Sequence, residues 1–222
     1  MSQKIVFMGT PEFSVPTLKL LLKSEHRILT VYSQPPTKAH RGQKISSSSV
    51  ENFAKKKVLN VRTPLTLDSD KEYDFMKNLK SDIVVVIAYG KIIPKRFLNL
   101  AKYGFINVHA SLLPKWRGAA PIQRSIMSLD NETGISVMKI VEELDAGPVM
   151  HQAKIVINEN TDTQTLTQVL SQLGAKALLD SISKIENGKA KFKEQNHNQA
   201  TYAKKLAKQK AKLNRTKVQK KF

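Results

Sequence analysis

DIVVVIA (Asp82–Ala88), carried on by Tyr89 and Gly90, is the stretch on which the fold reading turns. From Ile83 to Tyr89 every residue is apolar. A run this short has the length of a strand and falls far below the ~18 residues that cross a bilayer. Alternating polarity marks a strand with one wet face, whereas an unbroken Val/Ile run marks a strand covered on both faces. Such a strand belongs inside a parallel sheet with helices above and below.

The same logic recurs on either side. IVFM (Ile5–Met8) is a short apolar run, followed by Gly9-Thr10-Pro11-Glu12 and an amphipathic stretch from Val15 to Lys23, which reads as strand, tight turn, helix. Arg27–Ser33 is a second strand, Asp82–Ala88 a third and Phe105–Val108 a fourth, with helical patterns at Ser49–Lys56 and Tyr73–Leu79 between them. Farther on, Gly134–Ile140 and Val149–Val156 read as strands. Thr163–Ile185 reads as a long amphipathic helix for which Asn160-Thr161-Asp162 offers an N-cap. Strands alternating with helices predict an α/β fold: a Rossmann-like, mainly parallel open sheet with helices on both faces and right-handed crossovers. The first turn carries one glycine, not G-x-G-x-x-G, so a dinucleotide cofactor is not supported.

The chain has 222 residues, enough for one good-sized domain, and 41% hydrophobic content is ordinary for a folded protein. Cysteine is absent, which excludes disulfides, a thiolate nucleophile and Cys-based metal sites and suits a reducing cytoplasm. A strand beginning at Lys4 leaves no room for a signal peptide, so a cytoplasmic protein is expected. Charge is the unusual property. The net value is +19, and nine Lys/Arg with no acid fall between Ala203 and Phe222, so the first 202 residues carry +10. Such an excess suits a polyanion such as nucleic acid, and a Lys-rich composition without any partner would look the same.

In open α/β sheets ligands sit beyond the carboxyl ends of the strands. After the second strand comes QPPTKAHRGQKISSSS (Gln34–Ser49), too long and too basic for an ordinary βα connection of ~2–6 residues. It reads equally as a functional loop or a solvated insertion. After the fourth strand comes the segment richest in chemistry, GFINVHASLLPKWRGAAPIQ (Gly104–Gln123). Residues i and i+2 of a strand share a face, so Asn107 and His109 project together at its carboxyl end. An amide donor beside an imidazole suits a reaction that builds an oxyanion and moves a proton between nitrogens. Taken alone, the pair reads more commonly as satisfied polar groups closing a strand. VEELDAGP (Val141–Pro148) is an acidic turn in which Asp145 could orient His109. Asp before Ala-Gly-Pro is also ordinary turn chemistry. His26, His40, His151 and His197 show no metal-ligand spacing, and no metal is expected.

These separated motifs together resemble the folate-dependent formyltransferases. The residues responsible are Asn107-x-His109, SLLP (Ser111–Pro114), WRGAAPIQ (Trp116–Gln123), VIAYG (Val86–Gly90), LDAG (Leu144–Gly147) and the opening FMGTPEF (Phe7–Phe13), in the family's order over roughly residues 4 to 203. RGAAPIQ and the basic loop resemble the members that act on charged tRNA. The resemblance implies 10-formyltetrahydrofolate as co-substrate and the α-amino group of initiator methionyl-tRNA as acceptor, in translation initiation. Carried over, Asn107 holds the formyl oxygen, His109 stabilises the developing oxyanion and helps move protons, and Asp145 positions His109 or a water. The pterin pocket is expected at Ile87, Tyr89, Gly90 and Ile92, at Ser111, Leu112, Leu113 and Pro114, and at Val141. Contacts to tRNA are expected from Lys38, His40, Arg41, Gly42, Lys44 and Arg117.

The expected organisation is a catalytic domain over residues 1–188, a linker over 189–203 and a basic tail over 204–222. Relatives in this family continue past ATYA (Ala200–Ala203) into a barrel domain, so the tail reads as the truncated or frameshifted remnant of that OB-like module. A monomer is expected. Two other functions stay open: formyl transfer to a small nucleotide or sugar amine, and a weakly active remnant that binds tRNA.

Overall fold

A computed structural model describes residues 2–39 and 44–206. In chain order its elements are β1 (Lys4–Gly9), α1 (Val15–Leu21), β2 (Arg27–Tyr32), β3 (Thr37–Ala39), β4 (Lys44–Ser46), α2 (Ser49–Lys56), β5 (Val61–Arg62), α3 (Asp70–Asn78), β6 (Ile83–Ile87), β7 (Phe105–His109), α4 (Pro121–Met127), β8 (Glu132–Lys139), β9 (Val149–Val156) and α5 (Thr163–Glu186). Seven strands form one sheet in the order β5-β2-β1-β6-β7-β8-β9. From β5 to β7 every pair is parallel, while β7–β8 and β8–β9 are antiparallel. The fold is therefore the expected α/β architecture: a mainly parallel open sheet with an antiparallel edge.

Alternate residues of the inner strands fill two different cores. Ile5, Phe7, Ile83, Val85, Ile106 and Val108 meet Leu18 and Leu21 of α1, Val50 and Ala54 of α2, and Leu166, Leu170, Leu178 and Ile182 of α5. Val6, Met8, Val84, Val86 and Phe105 face the other way, onto Met76 of α3 and onto Phe97. This double burial is why β1 and β6 read as unbroken apolar runs. Each buried Leu or Ile contributes roughly 1.5–3 kcal/mol.

Local chemistry sets the helix starts. Ser48 accepts from the Glu51 amide and Ser69 from the Glu72 amide, the S-x-x-E box written twice; Asp162 accepts from Thr165 at the head of α5. The helix expected at Ser49–Lys56 has those bounds, and the one expected from Tyr73 begins three residues earlier, behind its cap. Three short elements were not expected. β5 has two residues, α4 starts on Pro121 without a capping side chain, and the basic stretch contains an antiparallel hairpin, β3 with β4. The loop expected over Gln34–Ser49 is thus partly a ribbon.

Gly134 of β8 tests how tightly the antiparallel edge is packed. A Cβ there would overlap the Ala153 carbonyl oxygen of β9 and approach Leu112 Cδ2 to 2.7 Å. Gly134→Ala is expected to destabilise the protein by about 2 kcal/mol, lowering its thermal midpoint by roughly 4–8 °C; calorimetry checks it.

Candidate active site

Phe105 and Ile106 of β7 enter opposite cores, so Asn107 and His109 share the Phe105 face and emerge at the strand's carboxyl end. Neighbouring β6 ends in Ala88 (φ 46°) and Gly90 (φ 82°), which turn the chain aside and open the sheet there. On the other side, β8 runs antiparallel and places Ser136 opposite His109. Sheet topology therefore makes a recess at the position open α/β sheets use for ligands.

Three side chains meet in it. Asp145 Oδ2 lies 3.6 Å from His109 Nδ1, and Asp145 Oδ1 accepts from Asn107 Nδ2 at 3.4 Å. The same Asp145 Oδ2 accepts from the Gly118 amide at 2.7 Å. His109 Nε2 stands 2.8 Å from the Trp116 carbonyl oxygen. A carbonyl only accepts, so Nε2 carries a proton and Nδ1 is the nitrogen left facing Asp145. The His109 side chain is 7% exposed and that of Asp145 13%, enough for a substrate atom to reach and little enough to keep bulk water out. Asn107, His109 and Asp145, expected together, are brought together.

Backbone strain gathers at this spot. Ala88, Trp116 and Asp145 are three of six non-glycine residues with positive φ among the described residues. A left-handed conformation costs roughly 1–2 kcal/mol at a residue with a Cβ, less for Asp. It persists where surrounding structure over-determines it. At Asp145 (φ 50°) the conformation turns the carboxylate back toward β7. Gly147 permits the turn, because a Cβ there would overlap the Lys139 carbonyl oxygen.

The SLLP segment is held from beneath. Ser136 Oγ donates to the Ser111 carbonyl and accepts from the Leu113 amide, while Gln152 Nε2 reaches the Leu113 carbonyl at 2.9 Å. Leu113–Pro114 is cis. The expected pterin-lining residues divide by exposure. Ile87, Tyr89, Ser111 and Leu113 are buried, Leu112, Pro114 and Val141 are half-buried, and Ile92 is 91% exposed. The carbonyl of Ile87 accepts from Ser14 and that of Tyr89 from Thr10 and Gln34. Burial first, and then the charge of Glu72, push the Tyr89 phenol well above its ordinary range, so it is a packing group and not an acid here. A Cβ at Gly90 would overlap the Gln34 amide nitrogen.

One residue expected to contact tRNA lies inside the protein. Arg117 is 1% exposed, with Nε and Nη2 donating to Gln195 Oε1 at 3.1 and 2.9 Å and Nη1 to Glu143 at 3.2 Å. A guanidinium so enclosed is turned inward, onto Gln195 and Glu143. The contacts expected of His40, Arg41 and Gly42 lie outside the described residues, as does the tail from 207 on; the backbone of Lys38 and Lys44 lies in the β3–β4 hairpin. The stretch expected as a linker is tied into the site: Thr201 Oγ1 accepts from the Trp116 amide, and the Ala203 carbonyl accepts from the Ala119 and Ala120 amides. Sequence reading missed Ser136, Gln152 and Gln195. Ser136 alone carried a signal, as the strand residue opposite His109.

Known proteins share this architecture. Residues 3–182 match the family model described as Formyl transferase. The methionyl-tRNA formyltransferase of Pelagibacter ubique is 53% identical over 94% of this chain and 67% of its own length. That of Coxiella burnetii is 46% identical over 96% and 68%. Among solved structures, the phosphoribosylglycinamide formyltransferase from Anaplasma phagocytophilum superposes with a TM-score of 0.71 at 17% identity, over 85% of this chain and 89% of that one. An N-formyltransferase from Helicobacter canadensis, in complex with folinic acid and dTDP-3-aminofucose, gives 0.69 at 21% identity, over 91% and 71%. The latter two likenesses establish a shared fold.

Proposed function

The chain belongs to the formyl transferase family, and on that ground we propose that it moves a formyl group from 10-formyltetrahydrofolate to the α-amino group of methionyl-tRNA. The observation that carries the chemistry is the meeting of Asn107, His109 and Asp145 in one recess. The amine nitrogen attacks the formyl carbon, the carbonyl oxygen takes up negative charge, and the folate nitrogen leaves with the electrons of its C–N bond. Asn107 donates to that oxygen, and charge on it is stabilised best by donors already in place. A proton must travel from the amine to the departing nitrogen. His109 Nδ1 with Asp145 Oδ2 is a relay of the kind that provides. SLLP and the backbone between Val141 and Asp145 line the pterin, with exposed Ile92 offering it an apolar edge.

The acceptor rests on the relatives' names and on the charge of +19. We read Lys38, His40, Arg41, Gly42 and Lys44 as the tRNA contact, because the β3–β4 hairpin follows the carboxyl end of β2, at the end of the sheet where the recess lies. Residues 1–188 are read as the catalytic domain, and a monomer is the assembly we propose. No helix among the described residues is long and apolar enough to cross a membrane, and the acceptor assigns the work to the cytoplasm, where translation runs.

A single-turnover assay with 10-formyltetrahydrofolate and charged initiator tRNA tests the reading; the expected product is formylmethionyl-tRNA. Formylation of an amino-sugar nucleotide or a glycinamide nucleotide, with none of tRNA, would overturn the acceptor. Replacing Lys38, Arg41 and Lys44 together by Ala is expected to raise KM for the tRNA about tenfold and leave kcat within about threefold. It should also flatten the log KM against log salt plot by about two to three units, since each phosphate contact contributes ~0.7–0.9. An unchanged slope would remove the hairpin from the interface.

A further inference from the structure

Gln195 is the anomaly of its surroundings. Lys191 to Glu194 and Asn196 to Gln199 are all exposed, yet Gln195 between them is 7% exposed. It also lies beyond residues 3–182, the part that matches the family model. A lone polar side chain drawn inside an exposed segment needs partners there, and Gln195 has four. Its Nε2 donates to the Asp145 carbonyl at 2.8 Å and to the Gly147 carbonyl at 2.7 Å. Its Oε1 accepts from Arg117 Nε and Nη2. The amide orientation follows from those partners, because carbonyls only accept and a guanidinium only donates. Both Nε2 hydrogens are used, and Oε1 accepts twice.

We propose that Gln195 is a positioning residue for formyl transfer, clamping the Asp145 turn so that its carboxylate meets His109. Other holds on the turn are the Lys95 ion pair to Glu142 and the Gly118 amide on the Asp145 carboxylate, while among the described residues no other side chain binds its backbone carbonyls at Asp145 and Gly147. Glu142, Glu143 and Leu144 are exposed, and Asp145 sits in the left-handed region. Gln195 grips it on both sides of Ala146. Arg117 holds Gln195 from behind and reaches the same turn again through Glu143. The residues flanking Arg117 finish the arrangement, as the Trp116 carbonyl fixes His109 and the Gly118 amide fixes the Asp145 carboxylate. Segment 116–118 and Gln195 thus set both members of the relay. The antiparallel bridge between Val149 and Lys193 holds Gln195 in register. Proton relays are sensitive to such support, since a displacement near 1 Å costs on the order of 100-fold in rate.

This inference rests on the function proposed above, and its test separates the two. Gln195→Glu keeps a partner for Arg117, now as an ion pair, but points an oxygen at two carbonyl oxygens. If Gln195 serves only to satisfy Arg117, this variant behaves as wild type. If it clamps the turn, amide hydrogen exchange measured on the whole chain by mass spectrometry speeds up over residues 141–147, at least about tenfold, and stays unchanged in α5. In formyl transfer kcat falls on the order of 100-fold, with KM for tRNA within about threefold. Gln195→Met, near in volume and without donors, should give the same exchange and the same kcat–KM split should the charged variant fail to fold. Unchanged exchange at 141–147 in the folded variants overturns the proposal, as does faster exchange with wild-type kcat. A wild type that does not formylate tRNA sinks the earlier reading instead, and the exchange measurement still decides whether Gln195 holds the turn.

Discussion

His109→Ala is expected to lower kcat by about 10³-fold while leaving the protein folded. The polar partners of the imidazole are the Trp116 carbonyl and the Asp145 carboxylate, so its removal costs a hydrogen bond of about 1 kcal/mol and the void left by one buried ring. That loss is well within what a domain with two full cores tolerates. Catalysis has no comparable reserve. Among the described residues no other imidazole stands within the recess: His26 pairs with Glu186, and His197 reaches only the back of Arg117. Burial and the Lys184 charge hold the His151 pKa below its usual value, and it lies on the edge strand β9. Since the Trp116 carbonyl engages Nε2, proton exchange is confined to Nδ1, and a replacement must offer an atom at that point. His109→Asn places a donor near it without a base, and should recover less than about tenfold of the loss. Single-turnover rates measure both variants. A rate for the Ala variant within about threefold of wild type would remove His109 from the reaction.

Some of this was legible in the sequence, for reasons that differ from residue to residue. The sheet was plain because β1 and β6 are buried on both faces, and an unbroken run such as Ile83–Ile87, too short for a buried helix, fits a central strand best. Asn107 and His109 could be placed on one face because strand periodicity is rigid. Their meeting with Asp145 was expected from the family resemblance alone, since no spacing in the sequence shows it. It depends on one left-handed residue, on the Gly118 amide and on Gln195, fifty positions farther along the chain. The burial of Arg117 was hidden for a related reason. An arginine beside glycine in a polar motif looks like surface, and its burial is decided by Gln195, 78 residues away. The hairpin of β3 and β4 was hidden by composition, since lysine and serine run through a ribbon and a loop alike. α4 and β5 were lost because seven and two residues carry too little pattern.

Asp145→Asn isolates what the carboxylate does from what the turn does, and kcat is expected to fall by about 10² to 10⁴-fold. Asn is the residue other than glycine that best accepts a left-handed backbone, so the φ of 50° survives the change. Its Oδ1 can still accept from the Gly118 amide, and its Nδ2 can bond Asn107 once that amide turns over. Gln195 binds the backbone carbonyl of residue 145 and is untouched. Charge, basicity and the orientation of the Asn107 amide are what is lost. KM for folate and tRNA should stay within a few-fold, because an interaction made mainly in the transition state appears in kcat. Asp145→Ala removes more. It leaves the Gly118 amide, half-buried, without its acceptor and sets an ordinary Cβ in a left-handed turn, costing about 1–3 kcal/mol. A thermal midpoint that falls for Ala and holds for Asn would separate the two roles. Should the Asn variant turn over like wild type while the Ala variant fails, the carboxylate would be a strut for the turn. The proton would then have to travel by His109 alone.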